Sequence, residues 1–348
     1  ALAGSVTLSA THTGVITTGA SATAAGDKVA VGATVGLNIG VDTTLATTER
    51  DITATGAVNI LSSSNVTVSL GINASSSGNK SEADGGRTAD NEAGAQANSP
   101  NTGGGNTLPS ADSKASSASD VSKSKTDGSA TGGTGGTGTG AAGSSKVSVA
   151  AAVGFNVLAV SNTASIAAGR TVTSGGALVV RATSETNASV KALGTALNSQ
   201  ATASIGAAVG MNVVVASNKA LIGAGSQVTA QGITVEAKTP AGVTNSFVVW
   251  GISAGGGKDY GVAGSVGIND IIMTTEASVG SAAVVNAQSG GLTLNAADVV
   301  GVQIIAGGAG KGSKAGVGVA LANNVVVHTT DAFVGANAQV NAAEAISI

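Results

Sequence analysis

Apolar and polar residues alternate over long stretches of this chain, and one such stretch returns five times. Its clearest copies read SVAAAVGFNVLAV (148–160), SIGAAVGMNVVVA (204–216) and GVAGSVGINDIIM (261–273); VAVGATVGLNIGV (29–41) precedes them and GVGVALANNVVVH (316–328) follows. In the copy at 204–216, Ala203, Ile205, Ala207, Val209, Met211 and Val213 fall into one set, and Thr202, Ser204, Gly206, Ala208, Gly210 and Asn212 into the other. A period of two is the geometry of a β-strand, whose successive side chains face opposite sides of the sheet. The other copies keep the split: one face carries Val, Ile, Leu, Met or Phe, the other Ala, Gly or Ser and then Asn. A helix would mix the two sets on every face.

The recurring asparagines are Asn38, Asn156, Asn212, Asn269 and Asn324, spaced by 118, 56, 57 and 55 residues. The last three spacings define a period of about 56, and the first is one period plus an insertion of roughly 62 residues. Such self-similarity predicts a solenoid, in which each unit buries its apolar face by stacking on its neighbours. Stacked Asn side chains can donate and accept amide hydrogen bonds along the stack. The competing role for each Asn is to turn the chain at a strand end; the apolar residues that follow it in every copy favour the ladder.

Each repeat then continues in the same way. A polar step (Ser161-Asn162, Ser217-Asn218, Thr274-Thr275, Thr329-Thr330) precedes a short apolar piece with Gly or Ala, then a V-T-A-like piece such as Val172-Thr173-Ser174 or Val228-Thr229-Ala230. Third strands follow at 178–184, 233–239 and 292–298, and fourth strands at 247–255 and 302–308. No stretch has helical apolar spacing. The expected fold is all-β: an elongated parallel β-solenoid of ~56-residue repeats, with room for a hairpin between the fourth strand and the next Asn strand. Two geometries fit. Three coils of about 18–19 residues would advance roughly 14 Å per repeat, whereas one wide rung would use all 56 residues and advance about 4.8 Å. The wide rung stacks Asn directly on Asn and is preferred.

Residues 1–74 and 146–348 read as one continuous solenoid. Between them, 75–145 holds one Leu (Leu108), one Val (Val121) and no Ile or aromatic residue, and includes TGGTGGTGTG at 131–140. Such a stretch reads as a flexible Gly/Ser/Thr/Asn-rich loop, inserted at a repeat turn, where closure entropy grows only logarithmically with length. The chain opens on SVTLSAT (5–11) and closes on AISI (345–348), both matching the third strand, as expected of a window on a longer array.

Composition narrows the picture further. Only 1% of the 348 residues are aromatic, so Gly, Ala, Val, Ser and Thr must fill the interior and the sheets must approach closely. With 10% charged residues and a net charge of -3, no basic patch points to nucleic acid. No apolar run reads as a membrane-spanning segment. Cysteine is absent, which removes disulfides and thiolate metal sites.

Reactive constellations are equally sparse. His12 and His328 lie in distant repeats, outside any metal-ligand spacing, and read as surface positions. Glu185, Glu236 and Glu276 occupy unrelated repeat positions and form no evident carboxylate pair. GGAGKG (307–312) lacks the full phosphate-loop spacing and reads as the recurrent turn, and AGGGKDYG (254–261) fails the calcium β-roll spacing. Trp250 and Tyr260 flank a turn and read as packing or edge residues rather than a sugar platform. No cofactor or metal is expected.

The unit VG(F/M/I/L)N, followed by an apolar strand, A-x-(I/V)-G and V-T-A, resembles repeats of very large bacterial filamentous adhesins, including the leukotoxin-family filamentous adhesins and haemagglutinin-like surface proteins. The resemblance covers most of the chain outside 75–145. It implies a secreted or cell-surface β-solenoid fibre, non-catalytic, used in adhesion or biofilm matrix. Its implied partners are neighbouring repeats of a longer chain or fibre and cell-surface or matrix glycans or proteins. Two alternatives stand beside it: a polysaccharide-acting β-helix enzyme, which a solvent-facing cluster of Asp, Glu, Lys and Arg would favour, and an ice- or surface-binding array, which requires a regular Thr grid.

Overall fold

The computed structural model describes residues 4–26, 28–77 and 146–348. A first strand, β1 (Val6–Ala25), precedes five rungs. The rungs run β2 (Val29–Thr48), β3 (Ile52–Ala54), β4 (Val58–Ser77); then β5 (Val147–Ile166), β6 (Thr171–Ser174), β7 (Leu178–Asn198). The third comprises β8 (Ala203–Ile222), β9 (Gln227–Ala230), β10 (Ile233–Lys238) and β11 (Asn245–Gly257). The fourth comprises β12 (Tyr260–Val279), β13 (Val284–Ala287), β14 (Leu292–Ala297) and β15 (Val300–Lys311), and the fifth β16 (Ala315–Val334), β17 (Gln339–Ala342) and β18 (Ile346–Ser347). Among the described residues there is no helix.

Three parallel sheets result. The asparagine strands stack as β2-β5-β8-β12-β16, the V-T-A pieces as β3-β6-β9-β13-β17, and the facing strands as β1-β4-β7-β10-β14-β18, with β11 pairing β7 and β15. Register is kept residue for residue: Asn38 pairs Asn156, Asn156 pairs Asn212, Asn212 pairs Asn269 and Asn269 pairs Asn324. One repeat is therefore one wide rung. A 20-residue strand spans about 66 Å, while five rungs rise only about 24 Å, so the described residues form a slab wider than it is tall.

The hairpin does not form. β7 and β8, like β4 and β5, lie in opposite sheets, and every pairing is parallel. Each strand of the stack already gives its edge hydrogen bonds to the rungs above and below, so the turn folds the chain into an arch closed by side chains. Ser75, Ser76 and Ser77, placed in the inserted loop by composition, end β4 in register with Thr195, Ala196 and Leu197. The rest of that segment, 78–145, lies outside the described residues. The third strand expected at 178–184 runs on to Asn198 as the single strand β7, whereas in the next rung the expected third and fourth strands are separate as β10 and β11, parted where Pro240 cannot donate to a ladder and Gly242 takes φ 76°.

Side-chain size tapers across the interior. At the end closed by the short third sheet, Val58, Ile60, Leu178, Ile222, Ile233 and Leu292 fill a core with three walls. At the arch the two large sheets nearly touch: a Cβ on Gly206 would stand 2.1 Å from the Ala254 carbonyl oxygen. This explains which face turns inward. The small set, Ser204, Gly206, Ala208, Gly210 and Asn212, is buried, and the larger set, Ile205, Val209, Met211 and Val213, faces outward. Only past Asn212 do larger inward residues return, with Val214 and Ile222.

Candidate functional site

The five asparagines meet in one ladder. Asn38 Nδ2 donates to Asn156 Oδ1 at 3.0 Å, and the same contact repeats from Asn156 to Asn212 (3.0 Å), Asn212 to Asn269 (2.9 Å) and Asn269 to Asn324 (3.0 Å). Asn156, Asn212 and Asn269 are fully buried. Each amide has a second proton, and it crosses the interior: Asn38 donates to the Ser69 carbonyl, Asn156 to Ser189, Asn212 to Val248 and Asn269 to Gln303, at 2.8–3.3 Å. Those four carbonyls sit at one register position of the facing sheet. Thr18 Oγ1 donates to Asn38 Oδ1. The ladder thus ties rung to rung and sheet to sheet, and the strand-end turn is not its role.

A second ladder escaped the sequence reading. Asn162 Nδ2 donates to Asn218 Oδ1 (2.8 Å) and to the Thr183 carbonyl (2.8 Å), and Ser62 Oγ donates to Asn162 Oδ1 (2.5 Å). The signal was present: 162 and 218 follow 156 and 212 by six residues, an even number, which keeps a strand residue on the same face.

The two outer faces differ. On the facing sheet, Asn65 Nδ2 donates to Glu185 (2.9 Å), Ser189 pairs Ser69 (3.2 Å) and Ser75 pairs Thr23 (3.0 Å). Arg181, Glu236 and Asn295 share one register position on three successive strands. Arg181 Nε reaches Glu236 Oε2 at 2.7 Å, Lys238 Nζ reaches Oε1 at 2.7 Å, and Asn295 Nδ2 reaches Oε1 at 3.2 Å. Burial pushes the Glu236 carboxyl up, but the bonds from Lys238, Arg181 and Asn295 together outweigh it and hold the group below its ordinary value. On the asparagine sheet, by contrast, the outward ladders headed by Val31 to Val41 are mostly Val, Ile, Leu, Met, Phe and Ala.

The histidines are not isolated. His12 Nε2 pairs Asp42 of the asparagine sheet (2.5 Å) and His328 Nε2 pairs Asp298, in the connection between β14 and β15 (2.7 Å), both aspartate side chains being buried. No group of three or more His, Asp or Glu among the described residues could hold a metal. Gly307–Lys311 belongs to strand β15 and leads into another strand, which excludes a phosphate loop. Trp250 is buried on β11 under the Lys191 ammonium, and Tyr260 is on β12 beside Lys314, so they stand in different sheets and share no platform. No helix among the described residues is long and apolar enough to cross a membrane.

No protein family, curated protein or solved structure matches the chain.

Proposed function

We propose that this chain is a structural, non-catalytic stretch of a secreted or surface-attached bacterial filament that serves cell adhesion or biofilm matrix. The observation that carries the reading is the uninterrupted in-register stack, in which the asparagine amides of one rung complete those of the next. Such a body adds rungs without new design, as a fibre requires. The repeat resemblance to filamentous adhesins supplies the setting, and surface or matrix glycans and proteins are the partners it suggests.

A polysaccharide-acting enzyme is less well supported. The solvent-facing charged cluster exists, around Glu236, but both carboxylate oxygens are engaged and the acid is held ionised. A glycosidase acid needs the opposite shift, upward. An ice-binding array is weaker still: the register row Thr7, Asn59, Val179, Thr234, Thr293 breaks the Thr grid at its second member.

The test is surface labelling of the source organism. Antibody against this chain should label intact, unpermeabilised cells or their matrix, and external protease should remove the signal. Labelling that appears only after lysis would overturn the proposal.

A further inference from the structure

The outward side of the asparagine sheet has no counterpart in the requirements of a self-contained slab. Between the rows headed by Val31 and Val41, successive outward ladders read Val31-Val149-Ile205-Val262-Val317, Val35-Val153-Val209-Val266-Leu321 and Val41-Ala159-Val215-Ile272-Val327. Strands β5, β8 and β12 have a parallel neighbour on both sides, yet Val157, Ile205, Val215, Val262 and Ile272 remain 39–48% exposed. One charged residue, Asp270, stands among these rows, two rows from their border. That border is polar: the row of Thr43, Ser161, Ser217, Thr274 and Thr329, and beyond it the Lys219–Glu276 ion pair at 3.1 Å.

From the Val31 row to the Val41 row the strands advance ten residues, about 33 Å, and five strands occupy about 24 Å, giving roughly 800 Å². Apolar patches on monomers reach about 300–600 Å². A standard specific interface removes about 800 Å² from each partner. The face thus has about the area of one half of a stable dimer, apolar except for Asp270 and Asn323 and bounded on the Thr43 side by a polar row.

From this we infer that the asparagine sheet is a homotypic interface: a second copy of the chain packs its own asparagine sheet against it, face to face, as in a two-sheet sandwich. Two sheets pack face to face with strands within about 30° of each other and inner side chains interdigitating, and the asparagine sheet of a second copy supplies a partner of the same width and apolar character. A lipid surface fits less well. Such contacts draw on Lys, Arg and Trp around the apolar face, whereas Lys219 at the Thr43 end of the rows is paired with Glu276, Lys314 at the Val31 end is paired with Asp259, and Asp270 stands within the patch. In a filament, this contact would join two solenoids side by side and leave the Ser/Thr/Asn faces turned to solvent.

The experiment is sedimentation equilibrium of the full chain at about 50 µM, with flotation on phosphatidylcholine vesicles in parallel. Wild type should sediment at twice the 32.5 kDa chain mass and not float. Ile205→Lys with Val215→Lys, both on β8, should halve the mass while leaving the strand circular dichroism unchanged. Asn59→Lys with Thr67→Lys, on the opposite outer face, should leave the dimer intact. Should the first pair misfold, Val209→Cys in this cysteine-free chain gives an independent reading: a bismaleimide should join two copies through it, and should not do so through Thr67→Cys. A monomeric wild type, a dimer that survives the apolar-face substitutions, equal crosslinking at both positions, or a monomer that floats with lipid would each overturn the inference.

Discussion

Replacing Asn212 with Leu probes the ladder at its centre. The substitution removes a fully buried amide that accepts from Asn156 at 3.0 Å and donates to Asn269 at 2.9 Å and to the Val248 carbonyl at 3.1 Å. Asn156 keeps its bond to the Ser189 carbonyl but loses an acceptor, and Asn269 Oδ1 loses its donor. Two buried groups are left unmet at about 1–3 kcal/mol each, so the expected loss is roughly 2–6 kcal/mol. Leu keeps a branched side chain with the same number of heavy atoms, so no void is left. Met211→Leu, one residue away but facing outward, should change stability by less than about 1 kcal/mol. In the double variant with Asn156→Leu, the two changes share one bond and should cost about 1 kcal/mol less than their sum. Urea denaturation followed by circular dichroism reads all four chains. An Asn212→Leu loss below about 0.5 kcal/mol, or one equal to Met211→Leu, would refute the ladder's role.

Three further predictions use the same denaturation assay. Gly206→Ala places a Cβ 2.1 Å from the Ala254 carbonyl oxygen and should cost about 1–3 kcal/mol or more, whereas Gly264→Ala, whose Cβ meets nothing within 4 Å, should be neutral or slightly stabilising. Ala282 holds φ 56° where the equivalent turns place Gly169 and Gly225, so Ala282→Gly should gain about 0.5–1 kcal/mol. Glu236→Gln should cost about 1 kcal/mol at pH 7. Because the folded carboxyl titrates below its ordinary value, that stability is present above the ordinary glutamate range and is lost as pH falls through the lowered value. The gap between Glu236→Gln and wild type should therefore close as pH falls below the ordinary glutamate range, and a gap that widens in acid would contradict the assignment.

The period, the parallel stack and the alignment of the five asparagines were legible in the sequence, because an alternating strand with one polar residue at fixed phase admits few registers. Alternation separates two faces but does not say which is inside. Val209 and Met211, of the larger set, face outward because the sheets at Gly206 and Gly255 approach too closely for any inward side chain larger than Ala or Ser. The third strand, expected over 178–184, continues through the polar run Thr183–Asn187. In β7 the even members of that run turn inward, where the Thr186 backbone N–H donates to Asn245 Oδ1 at 2.8 Å, and its odd members meet solvent and one another. The charged row of Arg181, Glu236 and Asn295 could not be seen as a unit before register was known, since its members differ in type from rung to rung.

Everything rests on one repeat being one rung, with residue 153 lying beside residue 209 rather than beside a residue some 19 positions away. The absence of cysteine makes this directly measurable. Val153 and Val209 are register partners on adjacent strands about 4.8 Å apart, within the 4.4–6.8 Å that a disulfide spans. Mild oxidation of the Val153→Cys/Val209→Cys chain, read by mass spectrometry of its peptides, should give the 153–209 intrachain bond in high yield, and the Val153→Cys/Val172→Cys chain should stay reduced. A bond between 153 and 172, with 153 and 209 left free, would contradict the wide rung and the ladder built on it.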